Sequence, residues 1–340
     1  MTTPLSLASL PHIFVFAHTV GDIGAMNRCV IFVGVLFAVG PGRVGFCSDL
    51  ARPHTVECVL ALVDIMAAAN LERSTTFVQI GAHLAWANTN DPFRSMVTRS
   101  RMRSVLVEPQ PHIYHQLVGL VGSHSEDEAK MIEVVNAAIC PESRGGANVT
   151  FFSISPLVNP LTGALPTGRK QRHTGASFTS QLASMSREHI LKHRRFIPNI
   201  EDHIVEIQVP CLSVAELLER QRVEPRDVLV LSIDAEGYDD VILDSVDFET
   251  TRPFLVVFEF QHLIHRQRRE HAWDAVHTAE RRLSKFGYRC WRAPPENFFC
   301  TSPKTSQQCA EWKPGDSLKN PFDHDPDHPP TFWNLPTTSS

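Results

Sequence analysis

Short apolar runs of four to six residues recur along the chain, separated by stretches with helical periodicity. A run that short with no polar face reads as a strand buried on both sides. Apolar spacing of i, i+3, i+4 reads as a helix with one face against a core. Thr55–Asn70 sets Val56, Val59, Leu60, Val63 and Met66 on one helical face. Phe77–Ile80 is then a strand ending in Gly81-Ala82-His83, and Asp91-Pro92 opens a helix with a side-chain cap and proline in its first turn. Ser104–Val107 is a second strand, ending in Glu108-Pro109. Pro111 begins a helix carrying Ile113, Leu117 and Leu120, stopped by Gly122. Ile132–Val135 is a third strand, leading to Asn136-Ala137-Ala138. This alternation of strand and helix predicts a parallel sheet with right-handed crossovers.

Val149–Ile154 and Ile204–Val209 follow as strands, the second alternating enough to be half-exposed. Ser213-Val214-Ala215-Glu216 is a capping box for a helix over Val214–Arg220. The pattern centres on Asp227–Asp239, DVLVLSIDAEGYD. Its strand, Val228–Ile233, has no room for a solvated face and delivers Asp234 and Glu236 at its C-terminal end, ahead of Gly237. In open parallel α/β sheets that edge is where ligands bind. A short helix around Asp240–Ser245, a strand Phe254–Phe258 ending in Glu259, and a long amphipathic helix Ala272–Phe286 come next. A last strand starts within Gly287–Trp291.

Three regions fall outside this alternation. Residues 1–50 are apolar but broken. Their strongest run, Cys29–Gly40, is about a dozen residues, short of the roughly 20 that span a bilayer, and it suits a secretory leader or a membrane anchor. The alternative is a buried N-terminal helix of a cytoplasmic protein. Residues 51–300 form the predicted domain, with 156–199 inside it as a polar insertion or acceptor loop, and 301–340 as a mostly irregular tail.

The net charge of −5 argues against a general nucleic-acid partner. Basic runs at 168–173, 193–195 and 266–269 lack interleaved aromatics and read as solvated faces, or else as contacts to an anionic acceptor or a membrane surface. The eight cysteines form no CxxC pair, no zinc spacing and no evident disulfide framework; Cys300 and Cys309, close together in the tail, are near enough in sequence to pair in an oxidising compartment. Asn148-Val149-Thr150 is a glycosylation sequon, which matters only on the luminal side of a membrane.

Candidate chemistry gathers at three strand ends: Gly81-Ala82-His83, Glu108 and Asp234. A glycine there lets backbone approach a ligand closely, and an acid ending the second strand is placed to accept from ribose hydroxyls. Together they suggest a nucleotide-like cofactor. The absence of GxGxxG and GxxxxGK[ST] disfavours NAD and nucleoside triphosphates. Asp234 is the first candidate for a base or an orienting group, followed by Glu236 and by Glu259 with nearby His262. The bland alternatives are a helix cap for Asp234, exposed surface for Glu259 and His262, and a satisfied loop histidine for His83.

The segments FVQIGAH, DPF, SVLVEPQP, VVNAAI, SVAELL, LSIDAEGYDDVIL and FLVVFEF resemble the FkbM-type family of S-adenosylmethionine-dependent methyltransferases, over about Thr55 to Arg292. The resemblance implies a class I methyltransferase fold: a Rossmann-like α/β domain with a seven-stranded, mostly parallel sheet and helices on both faces. It places S-adenosylmethionine across Gly81, Ala82 and His83, with Glu108-Pro109 at the ribose and Asn136-Ala137 near the adenine. It implies O-methylation of a sugar or small natural-product-like acceptor, with no metal. Ser177-Phe178-Thr179 resembles the family's segment near the acceptor. The chain departs from the pattern after Gly81, where Leu84-Ala85-Trp86 lacks the family's second glycine and Gln79 replaces a frequent acid. Either these side chains crowd the cofactor's methionine part, or the loop takes another path before Asp91-Pro92. Two other possibilities stay open: a metal-dependent glycosyltransferase using Asp234 and Glu236 as ligands, and a non-catalytic methyltransferase-like scaffold.

Overall fold

The computed structural model describes residues 55–69, 75–87, 93, 102–141, 147–155, 181–197, 199–261, 273–293 and 297–313. Helix α1 (Thr55–Ala69) leads into β1 (Thr76–Ile80), β2 (Arg103–Val107), α2 (Pro111–Val121), the short α3 (Glu126–Ala129) and β3 (Ile132–Val135). Then come β4 (Ala138–Ile139), β5 (Asn148–Ile154), β6 (Ala183–Ser184), α4 (Arg187–Leu191) and β7 (Ile204–Leu212). The last third holds α5 (Val214–Arg220), β8 (Val228–Ile233), α6 (Asp239–Ser245), β9 (Leu255–Glu259), α7 (Asp274–Lys285), β10 (Arg289–Ala293), β11 (Asn297–Thr301) and α8 (Pro303–Glu311).

Seven strands pair in the order β10-β11-β9-β8-β1-β2-β3. The pairs β1–β2, β1–β8, β2–β3 and β8–β9 are parallel, while β11 is antiparallel to both β9 and β10. The sheet is therefore mixed, with β11 alone running against the other six. Only three residues separate β10 from β11, too few for the crossover that a parallel pair needs. Strand β8 lies between β1 and β9, and all six of its residues are buried. The register aligns Ile233 with Ile80 and Ile80 with Val107, so the residues that follow share one edge.

Alternate side chains feed two cores, one on each face. Val78, Ile80, Leu231, Ile233 and Phe258 pack in one cluster with Leu217 of α5, Leu243 of α6 and Val276 of α7. Phe77, Leu106, Val230 and Val257 pack in the other with Leu62, Val63 and Met66 of α1 and Leu117 of α2. Helices on both faces are what near-continuous apolar strands require.

The strands Val149–Ile154 and Ile204–Val209 do not join the main sheet. They build a second one, in the order β4-β7-β5-β6. In β7 Glu206, Gln208 and Pro210 are exposed while Val209 and Cys211 are buried. A strand with one polar face cannot be covered on both sides, so it leaves the doubly covered layer.

The region from Thr301 is not irregular through residue 313. Thr301 ends β11, and α8 follows with Ser302 as its cap, the Oγ accepting from Thr305 N at 3.2 Å. The Cys300–Cys309 pairing is also overturned. Cys300 bonds Cys290, its direct partner across β10–β11, and Cys309 bonds Cys58 on α1. A third disulfide joins Cys140 to Cys211, beside the β4–β7 pairing. Among the described residues no helix is long and apolar enough to cross a membrane. The leader over 1–50, the helix start at Asp91-Pro92, the insertion over 156–180 with Ser177-Phe178-Thr179, His262, the basic runs at 168–173 and 266–269, and the tail beyond residue 313 lie outside the described residues.

Candidate functional site

Beyond β1 the chain turns through backbone conformations that side chains rarely adopt. Gly81 has φ +80°, His83 +46° and Ala85 +42°. Gly81 N and Ala82 N both donate to the Val107 carbonyl, at 3.0 and 2.9 Å, while Asp234 N donates to the Ile80 carbonyl at 2.9 Å. The ends of β2, β1 and β8 are so close that a Cβ on Gly81 would collide with the Asp234 carbonyl oxygen. Glycine is the one residue with both the torsional freedom and the room.

Glu108 holds the next part of this turn. Its Oε2 accepts from His83 N and its Oε1 from Gln110 N, each at 2.8 Å. The carboxyl is 3% exposed, and burial pushes its pKa up to about 7, against the opposing pull of those hydrogen bonds. Burial, with a smaller contribution from His112, lowers His83 to about 4, so its imidazole is neutral at physiological pH. Asn136 Nδ2 donates to the Glu108 and Pro109 carbonyls at 2.8 and 3.0 Å. Ala137 beside it is 1% exposed. One hydrogen-bonded edge thus joins Gly81, Ala82, His83, Glu108, Pro109 and Asn136, with Ala137 next in the chain.

Ala85 is fully buried and belongs to the core cluster of Phe77, Ala82 and Phe93. The left-handed turn directs its Cβ into the core. Leu84 is 9% exposed, and the side chain of Trp86 lies outside the described residues.

At the end of β8, Asp234 is exposed and does not cap α6, whose N-cap is Tyr238 without a side-chain bond. The structural carboxylate here is Asp239, fully buried, whose Oδ1 accepts from Ala235 N at 3.4 Å and Glu259 N at 3.3 Å. Glu259 is 4% exposed, so it is not a surface residue. Glu236 has φ +50° and meets His189 through Oε2 and Nε2 at 3.0 Å; its carbonyl accepts from Ser184 Oγ at 3.1 Å. Ser184 and His189 are buried, on β6 and α4, in the described part of the polar insertion. The second sheet also reaches the other motif loop, where Ser153 Oγ of β5 donates to Gln110 Oε1 at 2.7 Å.

His189 and Ser184 gave no sign in the sequence, because their segment carries polar residues without a period; Ser153 lies in the strand read over Val149–Ile154, but nothing there points to Gln110 as its partner. Asp239 was legible only as the last residue of the DVLVLSIDAEGYD stretch. Three of the five non-glycine residues with positive φ among the described ones, His83, Ala85 and Glu236, stand in these two loops. Each such conformation costs on the order of 1–2 kcal/mol, and strain of this kind collects at functional sites.

The family described as methyltransferase FkbM domain matches residues 79–290, well over half of the chain. The chain belongs to that family. The match runs from Gln79 in β1 to Cys290 in β10 and takes in both strained loops and the second sheet. No curated protein and no solved structure matches the chain. As an FkbM domain it is a methyltransferase, and the seven-stranded mixed sheet agrees with that. His189 holds one oxygen of the Glu236 carboxylate, a member of the ligand pair that the glycosyltransferase alternative uses. Among the described residues no three His, Cys, Asp or Glu side chains gather to hold a metal ion.

Proposed function

We propose that this FkbM domain methylates a hydroxyl oxygen, on a sugar or a small natural-product-like acceptor, using S-adenosylmethionine. The observation that supports this most directly is the hydrogen-bonded edge from Gly81 to Asn136. Its residues fit the cofactor. Gly81 makes the left-handed turn that brings the ends of β1 and β8 together, and Glu108, held by the His83 and Gln110 N–H groups, stands at that edge, where an acid suits ribose hydroxyls. Ala137 offers an apolar wall for a base. His83, held neutral, adds no positive charge near a sulfonium.

When bound, the cofactor supplies an electrophilic methyl group. The chain has to orient the acceptor hydroxyl and take its proton. Glu236 is the carboxylate best held for that role, because His189 fixes one of its oxygens and Ser184 fixes its backbone. Exposed Asp234, two residues earlier, orients the acceptor. Buried Glu259 stays beside Asp239 and supports the edge from below.

Calorimetry with S-adenosylmethionine and S-adenosylhomocysteine tests the cofactor assignment. Saturable binding that disappears in Glu108→Ala is expected. A folded sample that binds neither would sink the assignment and leave the scaffold alternative. In a screen of hydroxylated acceptors, Glu236→Gln is expected to lower turnover by about 10²-fold or more, with S-adenosylhomocysteine affinity within a few-fold. If Asp234→Asn loses that affinity instead, Asp234 is a cofactor ligand rather than an acceptor-orienting group.

A further inference from the structure

Six cysteines meet in three pairs, and one of those pairs stands beside the sequon. Cys58 and Cys309 come together from 251 residues apart, Cys140 and Cys211 from 71, and Cys290 and Cys300 from 10. Their Cα separations are 5.5, 5.9 and 4.0 Å. The pairs join α1 with α8, the β4 end with β7, and β10 with β11, the last two between strands of fixed register. Three separate pairings at bonding distance are a property of proteins that fold under oxidising conditions, since thiols in the cytosol are kept reduced. Closing the longest loop constrains the unfolded chain most, by about 5–6 kcal/mol in the chain-entropy estimate.

Asn148-Val149-Thr150 is the single Asn-x-Ser/Thr sequence in the chain. It opens β5, on the second sheet. Asn148 pairs with Pro210 and Thr150 with Gln208, and Ala147 accepts from Cys211 N at 3.0 Å. Asn148, Gln208 and Pro210 are all exposed, while Val149 and Phe151 turn to the opposite face and its apolar cluster. Thr150 Oγ1 accepts from Gln208 Nε2 at 2.9 Å on the same polar face. A bulky, hydrated group on Asn148 would extend into solvent and displace no core side chain.

We propose that this chain folds in an oxidising, glycosylating compartment of the secretory pathway and carries an N-linked glycan on Asn148. The disulfides and the exposed sequon point to the same compartment independently. The apolar run Cys29–Gly40 suits the leader or anchor that entry requires. Neither observation depends on the methyltransferase assignment.

The test is translation of the full chain with endoplasmic-reticulum microsomes, followed by gel mobility with and without peptide N-glycosidase and by alkylation of free thiols. One glycan step is expected, removed by the glycosidase, absent in Asn148→Gln and Thr150→Ala, and retained in Thr150→Ser. The six paired cysteines should resist alkylation until reduced. Two results overturn the proposal: a protease-protected chain with the same mobility as Asn148→Gln, or a chain left outside the vesicles with these thiols alkylated. Because Asn148 is exposed, Asn148→Gln should match the unglycosylated wild type in thermal midpoint, which separates loss of the glycan from loss of folding.

Discussion

Gly81→Ala is expected to cost on the order of 3–5 kcal/mol of stability and to abolish binding of S-adenosylhomocysteine. The left-handed backbone at φ +80° accounts for roughly 1–2 kcal/mol of this once a Cβ is present. The larger part is the collision with the Asp234 carbonyl, which cannot move alone. Asp234 N is bonded to the Ile80 carbonyl, and Ile80 and Ile233 are paired at the centre of the sheet. Relief therefore requires parting β1 from β8 where both are fully buried. A domain stable by about 5–15 kcal/mol loses a large share of its margin.

Gly119→Ala is the matched control. Gly119 lies exposed within α2 with nothing within 4 Å of an added Cβ, so the change should stabilise by about 0.5–1 kcal/mol. Urea midpoints of the two variants, with disulfides intact, should move in opposite directions. A Gly81→Ala midpoint near that of the wild type would mean that β1 and β8 do not approach as closely as described.

Much of this was legible because buried strands leave a plain signature. Phe77–Ile80, Ser104–Val107 and Val228–Ile233 each lie within or coincide with an observed strand, since a run without a polar face has few other ways to be buried. The glycine and acid at their ends could be placed for the same reason. The second sheet was harder to anticipate. Its strands were visible, but a period of two says which face is covered and not which sheet covers it. Cys140 and Cys211 lie 71 residues apart, and no spacing rule pairs them. His189 meets Glu236 across 47 residues, through a segment whose polar composition hides this buried histidine. At Ala85 sequence shows a Cβ but not its direction, which the positive φ helps to set.

Half-buried His83 of the first loop and buried Glu108, which accepts from its N–H, should pull the pH dependence of stability in opposite directions. Glu108 in the folded chain has a pKa of about 7, above the ordinary 4.5. Between those values the folded protein holds a proton that the unfolded chain has lost, so stability falls as pH rises, by about 3 kcal/mol in all. His83 is the reverse, at about 4 against 6.5. Between those values the unfolded chain holds the extra proton, so stability rises with pH by a similar amount of about 3 kcal/mol.

The two windows overlap from about pH 4.5 to 6.5, and the wild type should show little net slope there from this pair. Glu108→Gln should unmask the rise. It also carries a loss of about 1–3 kcal/mol at every pH, because an amide offers one acceptor where His83 N and Gln110 N need two. His83→Asn keeps the backbone N–H and tolerates φ +46°, so it should unmask the fall instead. The measurement is urea unfolding of wild type and both variants from pH 4 to 8, with the wild-type curve subtracted. A Glu108→Gln difference curve that is flat from 4.5 to 7 would show that Glu108 does not carry the buried proton. The carboxylate would then already be ionised before any cofactor arrives.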